Sequence, residues 1–182
     1  QMATGASSRR MIAAIALVLL LITSSAPAVL GGRAPAVDTS TVSDFAAQLS
    51  NPQTIQLGTG GTTTRLDRTR DYIIKLPAGQ KKGHTVIEGG RNVLIDGGTI
   101  VMSGTGSDLQ RRAIYIKNAT GTVRVQNVTI RGATSSAAFD AVAISAPSAV
   151  VELVNLHVSN LHGSYAGFHG DIVQPFGGVK KL

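Results

Sequence analysis

The sequence predicts an all-β chain wound as a parallel β-helix of about 28–30 residues per coil, with a short helix at its N-terminal end. Three observations predict it. The composition is right for a cored β protein: 43% hydrophobic residues, only 15% charged ones, and 21 glycines among many Val, Ile and Thr. A block then recurs at fixed spacing. Val123, Val125, Asn127, Val128 and Ile130 fall on Val151, Leu153, Asn155, Leu156 and Val158 at a constant offset of 28. Upstream, the same offset lays Ala113-Ile114-Tyr115-Ile116 on Ala141-Val142-Ala143-Ile144. A further copy begins at Asp171-Ile172-Val173-Gln174, 30 residues on, and Val93–Ile100 matches backwards at 30, with Gly97 in the asparagine column. The third observation is that column itself. Asn accepts the left-handed backbone of a two-residue bend more readily than most residues, and Gly accepts it freely. Stacked asparagines can also bond side chain to side chain.

The physics of the repeat is simple. Val123, Val125 and Ile130 cannot bury themselves within one coil, so they stack on Val151, Leu153 and Val158 of the next, while the backbones pair in parallel. A β-sandwich would not align columns over three copies, and leucine-rich repeats have another period.

The elements come in order along the chain. Arg9 and Arg10 precede an apolar run, Met11–Ile22, and then Ala26-Pro27-Ala28, the pattern of a secretory signal peptide over 1–28. Ala34-Pro35-Ala36 is an alternative cleavage site. An uncleaved anchor is the rival reading, but the run is well short of the roughly 20 residues needed to span a bilayer. Residues 29–40 read as a linker, and 41–182 as the β-helix domain. Its helix runs from Thr41 to Leu49, capped by Thr41 and ended by Asn51-Pro52. Strand-like runs come next at Thr54–Leu57, Tyr72–Leu76, Thr85–Glu88, Asn92–Ile95 and Thr99–Met102, punctuated by Gly58–Gly61, Gly89-Gly90 and Gly97-Gly98. The chain ends where another strand is due, so further coils are expected beyond Leu182.

Charge and cysteine usage bound the setting. There are no cysteines, so a secreted chain of this kind relies on its core and its backbone pairing. The net charge is +7, and removing Arg9 and Arg10 leaves +5. A positive surplus suits an anionic polymer such as a polyuronate, a teichoic-type wall polymer or nucleic acid. The charges are scattered, however. Lys81-Lys82 and Arg111-Arg112 read as solvated loop charges, and His84 as facing solvent. Leu57-Gly58-Thr59-Gly60-Gly61 lacks the Gly-Lys-Ser/Thr ending of a phosphate loop.

The repeat, the asparagine column and the run Asn92–Ile100 together resemble the right-handed parallel β-helix of the pectate-lyase superfamily, from about Thr41 to the C-terminus. The resemblance implies that the N-terminal helix caps the open end of the coil. It carries no activity by itself.

The densest polar cluster is His157, Asn160, His162, Ser164, Tyr165, His169, Asp171 and Gln174. Within it, His169-Gly170-Asp171-Ile172-Val173-Gln174 resembles a His-Gly/Ala-Asp-x-x-Gln signature of secreted β-helix polysaccharide lyases and glycoside hydrolases. The expected catalytic residues are His169, Asp171 and Gln174, with His162, Tyr165 and Asp140 binding substrate. At an offset of 30, Asp171 falls opposite Ala141 on the outer surface, Gln174 falls opposite the inward Ile144, and Asp140 falls opposite Gly170. Either Gln174 braces the turn from inside, or the register shifts and exposes it beside Asp171.

A lyase on uronate needs its substrate carboxylate neutralised and a base for the C5 proton. Asp171 could ligate a calcium ion for the first task, and His169 or a nearby Lys or Arg could serve the second. A glycosidase needs two carboxylic acids, which Asp140 and Asp171 could supply. A three-histidine metal site at His157, His162 and His169 is a weaker alternative. The expectation is a secreted, monomeric polysaccharide lyase acting on an anionic polymer, with no nucleic-acid partner and no membrane association after signal removal. A glycoside hydrolase, a polymer-binding module and a structural stalk are the alternatives.

Overall fold

The computed structural model describes residues 44–182; the expected signal peptide, the expected linker and the start of the expected helix lie outside them. Parallel strands recur in three columns, forming a curled, solenoid-like stack. The first column holds β2 (Thr62–Leu66), β5 (Thr85–Gly89), β8 (Arg112–Lys117), the first half of β11 (Asp140–Val154) and β13 (Val173–Gln174). The second holds β1 (Gln53–Gln56), β3 (Tyr72–Lys75), β6 (Val93–Asp96), β9 (Thr122–Gln126), the second half of β11 and β14 (Val179–Lys181). The third holds β4 (Gln80–Lys82), β7 (Thr99–Met102), β10 (Thr129–Gly132) and β12 (His157–Ser159).

The repeat columns are real columns. Val123 pairs with Val151, Val125 with Leu153 and Ile130 with Val158, and Val123, Val125 and Ile130 are fully buried. Alternation puts every second residue inside, so Val93 and Ile95 join the core while Leu94 between them faces outward. Asn127 and Asn155 take φ of 55° and 50°, and Gly97 takes 71°. The Nδ2 of Asn155 donates to Oδ1 of Asn127 at 3.0 Å, and the Nδ2 of Asn127 donates to Oδ1 of Asp96 at 3.2 Å. Asp96 thus extends the ladder where Gly97 has no amide.

Three expectations are corrected, and two strands are new. The period is not uniform: Tyr72 pairs with Val93, an offset of 21, against 30 and then 28 for the next steps. The cause is local. Gly83 and His84 alone join β4 to β5, whereas residues 103–111 join β7 to β8. Strands β2 and β4 had no apolar run to announce them; β2 is a threonine ladder on Thr85–Gly89.

The N-terminal capping helix is not found. Thr41 lies outside the described residues, and the residues after Asp44 form one 3-10 turn, Phe45–Gln48, with the Asp44 carboxylate accepting from the N–H of Ala46. Phe45 and Leu49 pack on outward Leu94, beside Ile73, with the Arg124 guanidinium 4.8 Å from the Phe45 ring. The turn therefore lies on the flank of the stack and does not plug its end.

Lys81 is not solvated. It occupies the inward column of Ile100, Ile130 and Val158, is 0% exposed, and donates from Nζ to the carbonyls of Gly58 and Gly60. The β4 pairing leaves its side chain no outward path.

Candidate functional site

The connections from the third column back to the first carry the site. They are Gly83-His84, residues 103–111, residues 133–139 and residues 160–172. The last folds back on itself, with Ser164 donating its N–H to the Phe168 carbonyl. Side chains have no room there: a Cβ on Gly163 would meet the His169 carbonyl, and one on Gly170 (φ 67°) that of His162. That is a physical reason for glycine within the His-Gly-Asp run.

This folded connection delivers the last coil with a register shift. Val142 pairs with Val173 and Ala143 with Gln174, an offset of 31 where the sequence pattern suggests 30. One residue of slip reverses the faces. Asp171 comes to lie over Asp140 instead of Ala141, and its N–H donates to Oδ1 of Asp140 at 3.1 Å. Gln174 joins the outward column of Ala143, Tyr115 and Val86, and its Nε2 donates to Oδ2 of Asp171 at 3.1 Å. Of the two arrangements left open for Gln174, the register shift is the one adopted, and Asp140 no longer faces Gly170.

Asp140, His169 and Gln174 line one open cleft of about 470 Å³, together with Asp108, Arg111, Arg112 and Phe168. Asp171 stands against two of its walls through those bonds. Tyr165 is 100% exposed and lines a separate shallow hollow with Ser164 and His169. The His162 backbone pairs with residues 137 and 138, and its side chain is exposed outside the cleft.

Arg112 is the residue that sequence reasoning missed. It opens β8 directly opposite Asp140, with Nε 3.7 Å from Oδ2 of that carboxylate, too far for a hydrogen bond. Its guanidinium carbon stands 4.9 Å from the Tyr115 ring and 4.6 Å from the Phe176 ring, held by cation–π attraction. Arg111 stands similarly over Phe168 at 5.2 Å. A signal was present: Arg112 precedes Asp140 by the same 28 residues as the valine columns.

Three polar atoms of this cleft are buried without a hydrogen-bond partner among the described residues: Arg112 Nε, Asp140 Oδ2 and Gln174 Oε1. Asp140 is 1% exposed. Burial pushes its carboxyl above the ordinary range, and the charges of Asp171 and Asp108 add to the rise; the Asp171 N–H and Arg112 oppose it. The site therefore holds a carboxyl biased toward its protonated form, a second carboxylate one coil away, two guanidiniums and an exposed imidazole. No group of three or more His, Cys, Asp or Glu side chains gathers as a metal site among the described residues. Comparison with family models, with curated proteins and with solved structures finds no match to this chain.

Proposed function

We propose that this chain belongs to a secreted, right-handed parallel β-helix protein of pectate-lyase type that cleaves an anionic, uronate-containing polysaccharide by elimination. The observation that carries the reading is Arg112: a guanidinium clamped over two rings at the cleft, with a buried N–H that no acceptor satisfies. Arg111 adds a second positive charge in the same cleft. The Arg9–Ala28 leader pattern supports secretion.

The chemistry is set by these groups. A uronate carboxylate held by the guanidiniums makes the C5 proton more acidic. His169 takes that proton, the C4–C5 double bond forms, and the C4–O bond breaks. Asp140, biased toward its protonated form, is the acid available to the departing oxygen. Calcium on Asp171, the other way to neutralise the substrate carboxylate, suits this donor set poorly. A calcium ion needs six to eight oxygen ligands, and among the described residues no three acidic or imidazole side chains gather at one point of this cleft. The arginines take the neutralising role.

Hydrolysis is a second reading, favoured by one observation: Asp171 lies over Asp140 on adjacent coils, and burial shifts the Asp140 carboxyl in the direction an acid catalyst needs. One assay separates the readings. The full chain is incubated with a panel of polyuronates and neutral polymers while ultraviolet absorbance of unsaturated ends and total reducing ends are both followed. Elimination gives both signals on polyuronates, and His169→Ala lowers the rate by about 10²–10⁴-fold. Reducing ends without absorbance indicate hydrolysis. Binding with no bond broken makes the cleft a polymer-binding module.

A further inference from the structure

A second cleft of about 450 Å³ lies on the same edge of the stack, walled by Gly61, Gly83, His84, Ser103, Thr105 and Gln110. It is cut by the same kind of connection: Gly83-His84 leads into β5, and residues 103–111 lead into β8. The 103–111 connection is a shared wall, with Thr105 and Gln110 on one side and Asp108 and Arg111 on the other. Gly83 and His84 stand one coil before Arg112 and Ala113, and Asp140 one coil after Arg112, so the two clefts succeed each other along the axis on coils about 5 Å apart.

Their chemistry differs. The first is lined by guanidiniums and carboxyls. The second has hydroxyls, an amide and an imidazole, with glycines leaving its floor bare. Ser103 and Thr105 already share a 3.0 Å hydrogen bond, so their hydroxyls stand side by side. Burial, and the charge of Lys81 behind it, hold His84 toward its neutral form, with one ring nitrogen donating and one accepting. The Lys81 ammonium itself is turned onto the Gly58 and Gly60 carbonyls.

We infer that the His84–Ser103–Thr105 cleft is a second sugar subsite, one that takes an uncharged, hydroxyl-bearing unit of the polymer whose anionic unit lies at Arg112. The inference rests on the anionic-polysaccharide reading and deepens it: the substrate is a copolymer of uronate with neutral sugar, laid along the stack axis. A homopolymer of uronate would bring a carboxylate into a cleft with no cation in its wall.

The test measures binding of the full chain to two size-graded series by calorimetry: oligogalacturonates, and hyaluronan oligosaccharides, in which uronate alternates with a neutral N-acetylhexosamine. The alternating series gains affinity once long enough to cover both clefts. His84→Ala removes about tenfold of that gain and leaves the shortest oligomers unchanged, the effect of one or two lost hydrogen bonds. Thr105→Arg, at an exposed position that leaves the core alone, shifts preference toward oligogalacturonates. If both variants keep the wild-type length dependence and preference, the subsite is refuted while the Arg112 cleft stands. If neither series binds the wild-type chain, the polysaccharide reading falls and the subsite with it.

Discussion

Two aspartates, equally hidden, behave in opposite ways. Asp71 is 2% exposed and Asp140 1%. Asp71 accepts four hydrogen bonds: from the N–H of Ser50, from Nε of Arg91 at 2.7 Å, and from the N–H and Nδ2 of Asn92. The Arg91 bond, helped by those backbone donors against the cost of burial, holds its carboxyl below the ordinary range. Asp140 accepts one bond, and its arginine stops at 3.7 Å. Its carboxyl is pushed up instead. Burial alone therefore does not set a carboxylate's role; its satisfied acceptors do. Asp71 ties the first coils together, whereas Asp140 keeps an unspent oxygen in the wall of a cleft.

That contrast can be broken at several points. Asp71→Ala is expected to cost about 3 kcal/mol in urea unfolding, since four donors lose their acceptor at once. Its pH dependence has a definite sign. A depressed folded pKa contributes stability above the unfolded value near 3.8, and that stability is lost as pH falls through the lower folded value. An unchanged midpoint in the variant would remove Asp71 from the structural side of the comparison.

Lys81→Met should act the other way, raising stability by about 1–2 kcal/mol at neutral pH, because a desolvated ammonium is exchanged for an apolar chain of similar length. With its folded pKa lowered from 10.5, the wild-type lysine binds fewer protons folded than unfolded at alkaline pH. Wild-type stability should therefore rise as pH climbs toward 10.5, and the methionine variant should lack that slope. Thermal midpoints across an alkaline series read it directly.

Asp140→Asn should have the smallest effect on the fold, within about 1 kcal/mol, because the amide keeps an acceptor for the Asp171 N–H. Its raised folded pKa binds a proton that the unfolded chain releases. Wild-type stability should thus fall as pH rises from 3.8 through the folded value, and the asparagine chain should not show that decline. A large loss of stability in Asp140→Asn would make Asp140 a second Asp71.

Much of the architecture was legible, for a physical reason. Val123 over Val151 and Asn127 over Asn155 are positions where burial and a left-handed bend each admit few residue types, so the coil writes itself into the sequence. The candidate cleft was legible only in part: His162 and Tyr165 fall outside it, Arg112 was missed, and the register was misread. His169, Asp140 and Gln174 do share a cleft, but a connection as long as 160–172 has no periodicity with which to count, and a one-residue slip passes unseen. Arg112 and Lys81 were hidden by their neighbours. In Arg111-Arg112 and Lys81-Lys82 each cation resembles the other, and only the fold shows that Lys81 turns inward and that Arg112 packs on two rings at the cleft.

Strand β11 runs without a break from Asp140 to Val154, through the corner between two columns that other coils turn with a loop. Its first half pairs with β8 and β13, its second with β9 and β14. Elsewhere a coil can fray along one column and leave the other intact. Here one strand serves both columns, its register shifting between Ala146 and Val150, so loss of pairing on one side is passed to the other through the same backbone. Asp140 opens this strand, so the candidate cleft is tied through one backbone to both columns.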